Sequence, residues 1–135
     1  MQLSSVIFLV ITAYIIGSIP SSIWIGKSYF GKDVRDFGSG NAGATNTFRI
    51  LGKRAGIIVL MLDILKGVTA ASLILYMPSV SNGTDQYINL QLLFGIFAVV
   101  GHIFPVFEHF NGGKGIATLF GMLIGIHYIL SLIHI

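Results

Sequence analysis

Residues 1–26 read MQLSSVIFLVITAYIIGSIPSSIWIG, and no side chain in this run carries a formal charge. At about 1.5 Å per residue, such a helix crosses a hydrocarbon core of about 30 Å with some tilt. A cleaved signal peptide would need a basic leader and a shorter apolar core, and this stretch has neither. It therefore reads as a retained membrane helix, which Gly17 and Pro20 kink near its far end. The rest of the chain repeats the pattern. Apolar runs cover 55–77, interrupted by Asp63 and Lys66, then 86–107 and 115–135, the last two without formal charge. The turn-rich segment 78–85, PSVSNGTD, separates the second run from the third.

Composition points the same way. Hydrophobic residues make up 54% of the 135 and charged residues 10%, with a mean hydropathy of +0.86; a soluble domain is about a quarter charged. A soluble enzyme, a disordered tail and a nucleic-acid-binding arm are excluded, so no nucleic-acid partner is expected despite the net charge of +3. The absence of cysteine excludes disulfides, thiol nucleophiles and cysteine-ligated metals. The expected fold class is an all-α integral membrane protein: a polytopic helical bundle of about four transmembrane helices, forming one domain over 1–135.

Orientation follows from the basic residues. Six of the eight, Lys27, Lys32, Arg35, Arg49, Lys53 and Arg54, fall between the first and second runs. The 78–85 linker has none, and Lys114 follows the third run. The segments at about 27–54 and 108–115 are therefore expected on the cytoplasmic side, with the N-terminus outside. Both are rich in glycine.

The first segment contains Gly38-Ser39-Gly40-Asn41-Ala42-Gly43-Ala44-Thr45-Asn46-Thr47-Phe48-Arg49. Gly38, Gly40 and Gly43 let backbone N–H groups turn toward a common point, the geometry of an anion nest. Ser39, Asn41, Thr45 and Asn46 add uncharged donors, and Arg49 adds a fork suited to phosphate. A plain polar turn is the alternative. The second segment, Asn111-Gly112-Gly113-Lys114-Gly115-Ile116-Ala117-Thr118, sets a lysine among glycines where a helix begins, and both the ammonium and the helix N-terminus favour an anion. It is not a P-loop, because Glu108 and Gly115 stand where that motif needs glycine and a hydroxyl residue. Here the alternative is a tight turn with one membrane-flanking lysine.

Asp63 and Lys66, three residues apart, share a helix face inside the second run. Intramembrane charges pair with one another or face a polar cavity. One reading is a self-satisfied ion pair; the other lets Lys66 neutralise substrate charge while Asp63 orients it. His102, His109, His127 and His134 lack metal-ligand spacing, so no metal is expected. His102 reads more readily as a packing histidine than as a catalyst. Without a serine elbow or an acid–histidine pairing there is no protein nucleophile. Two anion-binding loops at one membrane face fit a phosphorylated, partly lipidic substrate. A small anion channel or transporter is the competing reading.

In order and spacing these stretches resemble a known family. Ser39-Gly40-Asn41-Ala42-Gly43-Ala44-Thr45-Asn46 resembles the first signature of the acyl-phosphate:glycerol-3-phosphate acyltransferases of the PlsY type. Leu62-Asp63-Ile64-Leu65-Lys66-Gly67 resembles another recurrent stretch, and Gly101-His102-Ile103-Phe104-Pro105 with Gly112–Thr118 is similar to the second signature. The resemblance implies a bacterial inner-membrane enzyme that passes a fatty acyl group from acyl-phosphate to the sn-1 hydroxyl of glycerol 3-phosphate. It implies lysophosphatidic acid and phosphate as products, the first step of phospholipid synthesis. Ser39, Arg49 and Lys114 would then be catalytic. Gly40, Asn41, Gly43, Thr45, Asn46, Lys66, His102, Gly112, Gly113 and Gly115 would bind substrate and its phosphate. No cofactor, coenzyme A or acyl carrier protein is expected, and the donor chain would enter from the lipid bilayer.

The resemblance extends to about Gly125. Family members run further, to a third signature with His, Asn and Glu positions, and the ending Leu130-Ser131-Leu132-Ile133-His134-Ile135 is similar to translated adapter sequence. The expectation is an incomplete sequence, inactive as it stands, whose His127 and His134 do not match the family's missing histidine.

Overall fold

The computed structural model describes residues 3–133, and every regular element among them is helical. Six α-helices follow in order: α1 (Leu3–Ser18), α2 (Ser21–Phe30), α3 (Ala44–Leu51), α4 (Lys53–Ser72), α5 (Asp85–Ile103) and α6 (Ile116–Ile133). Short 3-10 turns lie at Val34–Asp36, Leu73–Tyr76 and Val106–Glu108. The stretches Leu3–Phe30, Lys53–Tyr76 and Asp85–Glu108 are long and apolar enough to cross a membrane, and Ile116–Ile129 is a shorter apolar helix.

Proline sets two of the boundaries. Pro20 has no N–H and clashes with a preceding helical turn, so the first run is broken at 19–20 rather than kinked, and α2 continues to Phe30. Pro105 likewise keeps Phe104 out of the helical region, and α5 stops at Ile103. At its other end α5 is capped by Thr84, whose Oγ1 accepts the Tyr87 N–H at 3.3 Å.

α1 and α5 run toward the end of the bundle that carries the glycine-rich segments, and α4 and α6 run away from it. Lipid tails are as apolar as leucine, so helices in a membrane associate through close packing rather than by escaping water. Glycine provides that closeness at two crossings. A Cβ on Gly17 would overlap the Ala98 carbonyl, and one on Gly101 the Tyr14 carbonyl, so α1 and α5 touch backbone to backbone. Gly67 meets Thr118 O and Gly121 meets Ile64 O in the same way between α4 and α6. Away from these seams, Ile7, Ile11 and Ile15 of α1 and Ile58, Met61 and Leu65 of α4 are exposed, as lipid-facing residues should be. Gly121→Ile is therefore expected to abolish the monodisperse peak of the detergent-solubilised full-length protein in size-exclusion chromatography. Leu123→Ile, at an exposed position of the same helix, should keep that peak.

Candidate functional site

One side chain organises the first glycine-rich segment. Asn46, in the first turn of α3 and 2% exposed, directs its Nδ2 at the carbonyls of Val34 (2.8 Å), Phe37 (3.1 Å) and Asn41 (3.0 Å). Its Oδ1 accepts the Ser39 N–H at 3.1 Å. Gly38, at φ 57°, passes so close to Oδ1 that a Cβ would overlap it. The Gly40 N–H turns back to Phe37 O at 3.0 Å. The amides of Ser39 and Gly40 are thus used inside the loop and do not form the anion nest expected from the glycine spacing. The donors that face outward belong to the first turn of α3, which no helical carbonyl can satisfy and which Gly43 caps without a side-chain bond.

The second segment folds back onto the end of α5. Gly112 N–H donates to Ile103 O and Gly113 N–H to His102 O, each at 3.1 Å. A Cβ on Gly112 would overlap the His102 carbonyl, and one on Gly113 the His102 ring. Both glycines therefore allow close backbone approach, and their amides are engaged there rather than aimed at a ligand. Beyond them comes Lys114, and Gly115, at φ 78°, then turns the chain into α6.

Between the two segments lies a cavity of about 470 Å³. Ser39, Asn41, Gly43, Thr45, Asn46 and Arg49 line it from one side, and Lys114 and Gly115 from the other. Asp63 and His102 form a polar part of its wall, while Leu60, Ile64, Ile116 and Phe120 make the remainder apolar. Two helix N-termini, a guanidinium and an ammonium thus border one volume, a setting that favours an anion with an apolar tail. Among the described residues no group of three or more His, Cys, Asp or Glu side chains is placed to hold a metal ion.

Gly40, Lys66, Gly112 and Gly113 do not line this cavity. Lys66 Nζ pairs with Asp63 Oδ1 at 2.8 Å, His102 Nδ1 lies 3.6 Å from the same oxygen, and all three residues are buried. Lys66, His102, Gly112 and Gly113 surround a separate void of only about 10 Å³. His134 lies outside the described residues.

A charged network missed in the sequence ties the two segments together. Asp33 caps the Val34–Asp36 turn through the Arg35 N–H (3.0 Å) and also holds the Arg35 guanidinium, with Nε at 3.0 Å from Oδ1 and Nη2 at 2.6 Å from Oδ2. Arg35 Nη2 continues to Glu108 Oε2 at 3.0 Å, while Nη1 reaches the carbonyls of Glu108 (3.3 Å) and Asn111 (3.2 Å). Lys27 Nζ stands 3.5 Å from both carboxylates. Between those two carbonyls, His109 and Phe110 are left-handed, at φ 57° and 60°, a conformation that costs non-glycine residues about 1–3 kcal/mol each. Hydrogen bonding to Arg35 holds the Asp33 carboxyl down at about 2. Its contribution to stability is complete above about pH 4 and fades only as pH falls toward 2. The local Asp-x-Arg pair was visible in the sequence, but its partner 73 residues away was not.

The glycerol-3-phosphate acyltransferase family model matches residues 7–135. The glycerol-3-phosphate acyltransferase of Enterococcus faecalis is 55% identical over 119 residues, covering 88% of this chain and 52% of that protein. The Staphylococcus carnosus protein of the same name is 45% identical over 129 residues, covering 95% of this chain and 64% of that one. The chain thus spans between half and two thirds of these relatives. Crystal structures of PlsY, an integral membrane glycerol 3-phosphate acyltransferase, superpose with TM-scores of 0.79 for the glycerol 3-phosphate form and 0.73 for the lysophosphatidic acid form. Their identities are 40% and 37%, and each covers 96% of this chain, which in turn spans 61% and 60% of those structures. The match over nearly the whole described bundle, cavity included, identifies this all-helical chain as a member of the glycerol-3-phosphate acyltransferase family.

Proposed function

We propose that the protein to which this chain belongs transfers a fatty acyl group from acyl-phosphate to the sn-1 hydroxyl of glycerol 3-phosphate, releasing lysophosphatidic acid and phosphate. The carrying observation is the convergence of Arg49, Lys114 and two helix N-termini on a cavity whose remaining wall is apolar. The hydroxyl oxygen forms a bond to the acyl carbonyl carbon. The bond from that carbon to the phosphate oxygen breaks, phosphate leaves with the electron pair, and the hydroxyl proton passes to a phosphate oxygen. Acyl-phosphate is already activated, so orientation and charge stabilisation supply the acceleration and no protein nucleophile is needed.

Ser39, Asn41 and Thr45 hold phosphate oxygens beside the α3 N-terminus, and Arg49 and Lys114 stabilise the charge that gathers on the departing phosphate. Gly43 and Gly115 open the backbone at the two helix starts. Asn46 and Gly40 shape the first loop, and Gly112 and Gly113 set Lys114 in place. Lys66 acts from behind, neutralising the Asp63 carboxylate, and His102 stands beside that carboxylate in the cavity wall. Leu60, Ile64 and Phe120 receive the start of the acyl chain from the bilayer. The distribution of basic residues supports an outside N-terminus and a cytoplasmic site, the apolar helices support about four spans, and family membership supports a bacterial inner-membrane location.

The test uses the full-length protein encoded by the source gene, reconstituted in liposomes with labelled glycerol 3-phosphate. Palmitoyl-phosphate should yield lysophosphatidic acid and phosphate, and palmitoyl-coenzyme A should yield neither. Uptake of label without consumption of palmitoyl-phosphate would instead establish a transporter.

A further inference from the structure

We propose that Arg35 is a positioning residue that sets Lys114 against Arg49 by clamping the strained turn before the second glycine loop; this rests on the acyl-transfer reading above. The guanidinium is fixed from behind by both oxygens of Asp33, so its remaining donors point in one direction. Those donors grip the carbonyls of Glu108 and Asn111, which bracket the two left-handed residues His109 and Phe110. Side-chain pairing alone would not need this arrangement. A lysine could neutralise Glu108, but only a planar fork reaches a carboxylate and two carbonyls together.

The clamp has a fixed relation to both halves of the site. On one side, Val34 O, adjacent to Arg35, accepts the Asn46 carboxamide that holds Ser39 and begins the helix bearing Arg49. On the other, Asn111 leads through two glycines pinned to α5 directly into Lys114. If the turn at 109–110 relaxes, Lys114 moves while Arg49 stays. Trp24 of α2 packs its ring 6.0 Å from that of Phe107, so the remainder of the turn keeps its seat on the bundle.

The experiment compares Arg35→Lys with the wild-type full-length enzyme, taking kcat and KM for glycerol 3-phosphate together with amide exchange over 108–115. Loss of the two carbonyl bonds should lower kcat about tenfold with KM for glycerol 3-phosphate within about threefold, and exchange should quicken across 108–115 alone. Phe110→Gly, which makes the left-handed turn inexpensive, should recover much of that kcat in the Arg35→Lys background and alter the wild type little. If Arg35→Lys does not fold, Asp33→Asn, which releases the guanidinium from behind, should show the same split more weakly. Unchanged exchange over 108–115 would overturn the proposal whatever the kinetics. So would unchanged kcat in a preparation where Lys114→Ala is inactive, whereas a wild type that makes no lysophosphatidic acid from palmitoyl-phosphate would overturn the acyl-transfer reading instead.

Discussion

Lys114→Ala in the full-length protein should lower lysophosphatidic acid formation by about 10²–10³-fold, the usual effect of removing a preorganised charge-stabilising donor. Lys114 is placed by backbone bonds on both preceding residues and by the left-handed Gly115 that follows, so no nearby side chain can take over its position. Lys114 lines the same cavity as Arg49, and on the acyl-transfer reading losing either leaves one cation to offset charge that builds on the departing phosphate. The fall should be mainly in kcat, because that charge grows during the reaction. Steady-state assays with palmitoyl-phosphate decide it. Turnover near that of the wild type would remove Lys114 from the chemistry.

Lys66→Met should be the most destabilising single change among the buried charges. The ammonium lies 2.8 Å from Asp63 Oδ1 inside α4, and its removal strands a carboxylate with almost no contact with solvent. Breaking a buried pair from one side costs about 3–5 kcal/mol, while replacing both partners by neutral groups is often tolerated. The melting temperature in detergent should fall sharply for Lys66→Met and return most of the way for Asp63→Asn/Lys66→Met. The double variant also separates two roles for the lysine. If Lys66 acts only by neutralising Asp63, acyl transfer survives in the pair; if the ammonium binds substrate, activity stays lost when stability is restored.

Much of this architecture was legible because membranes impose blunt rules. Uncharged runs long enough to cross a bilayer mark the helices, and the two glycine-rich segments stand out at their ends. The Asp63–Lys66 pair follows from helical spacing alone. What stayed hidden depends on packing between distant segments. His102 approaches Asp63 only because α5 lies beside α4, and Arg35 meets Glu108 across 73 positions. Gly112 and Gly113 looked like anion ligands because glycine serves two ends, a free amide and a close approach; here α5 carbonyls claim the amides. Ile64 and Phe120 had no distinguishing mark among many apolar residues until the cavity gave them one.

The α4–α6 crossing shapes what the cavity can admit. Ile64 lines the cavity, and its own carbonyl is the atom that Gly121 rests against. The two helices therefore meet backbone to backbone at the edge of the cavity, like the blades of a pair of shears at their rivet. On the acyl-transfer reading proposed above, a hydrocarbon tail lying between Ile64 and Phe120 would end against this main chain and pass outward, toward the lipid. The rivet is peptide backbone rather than side chain, so no rotamer change can deepen the notch. Chain length would then be accommodated by the surrounding bilayer, with the protein gripping only the end where the bond is made.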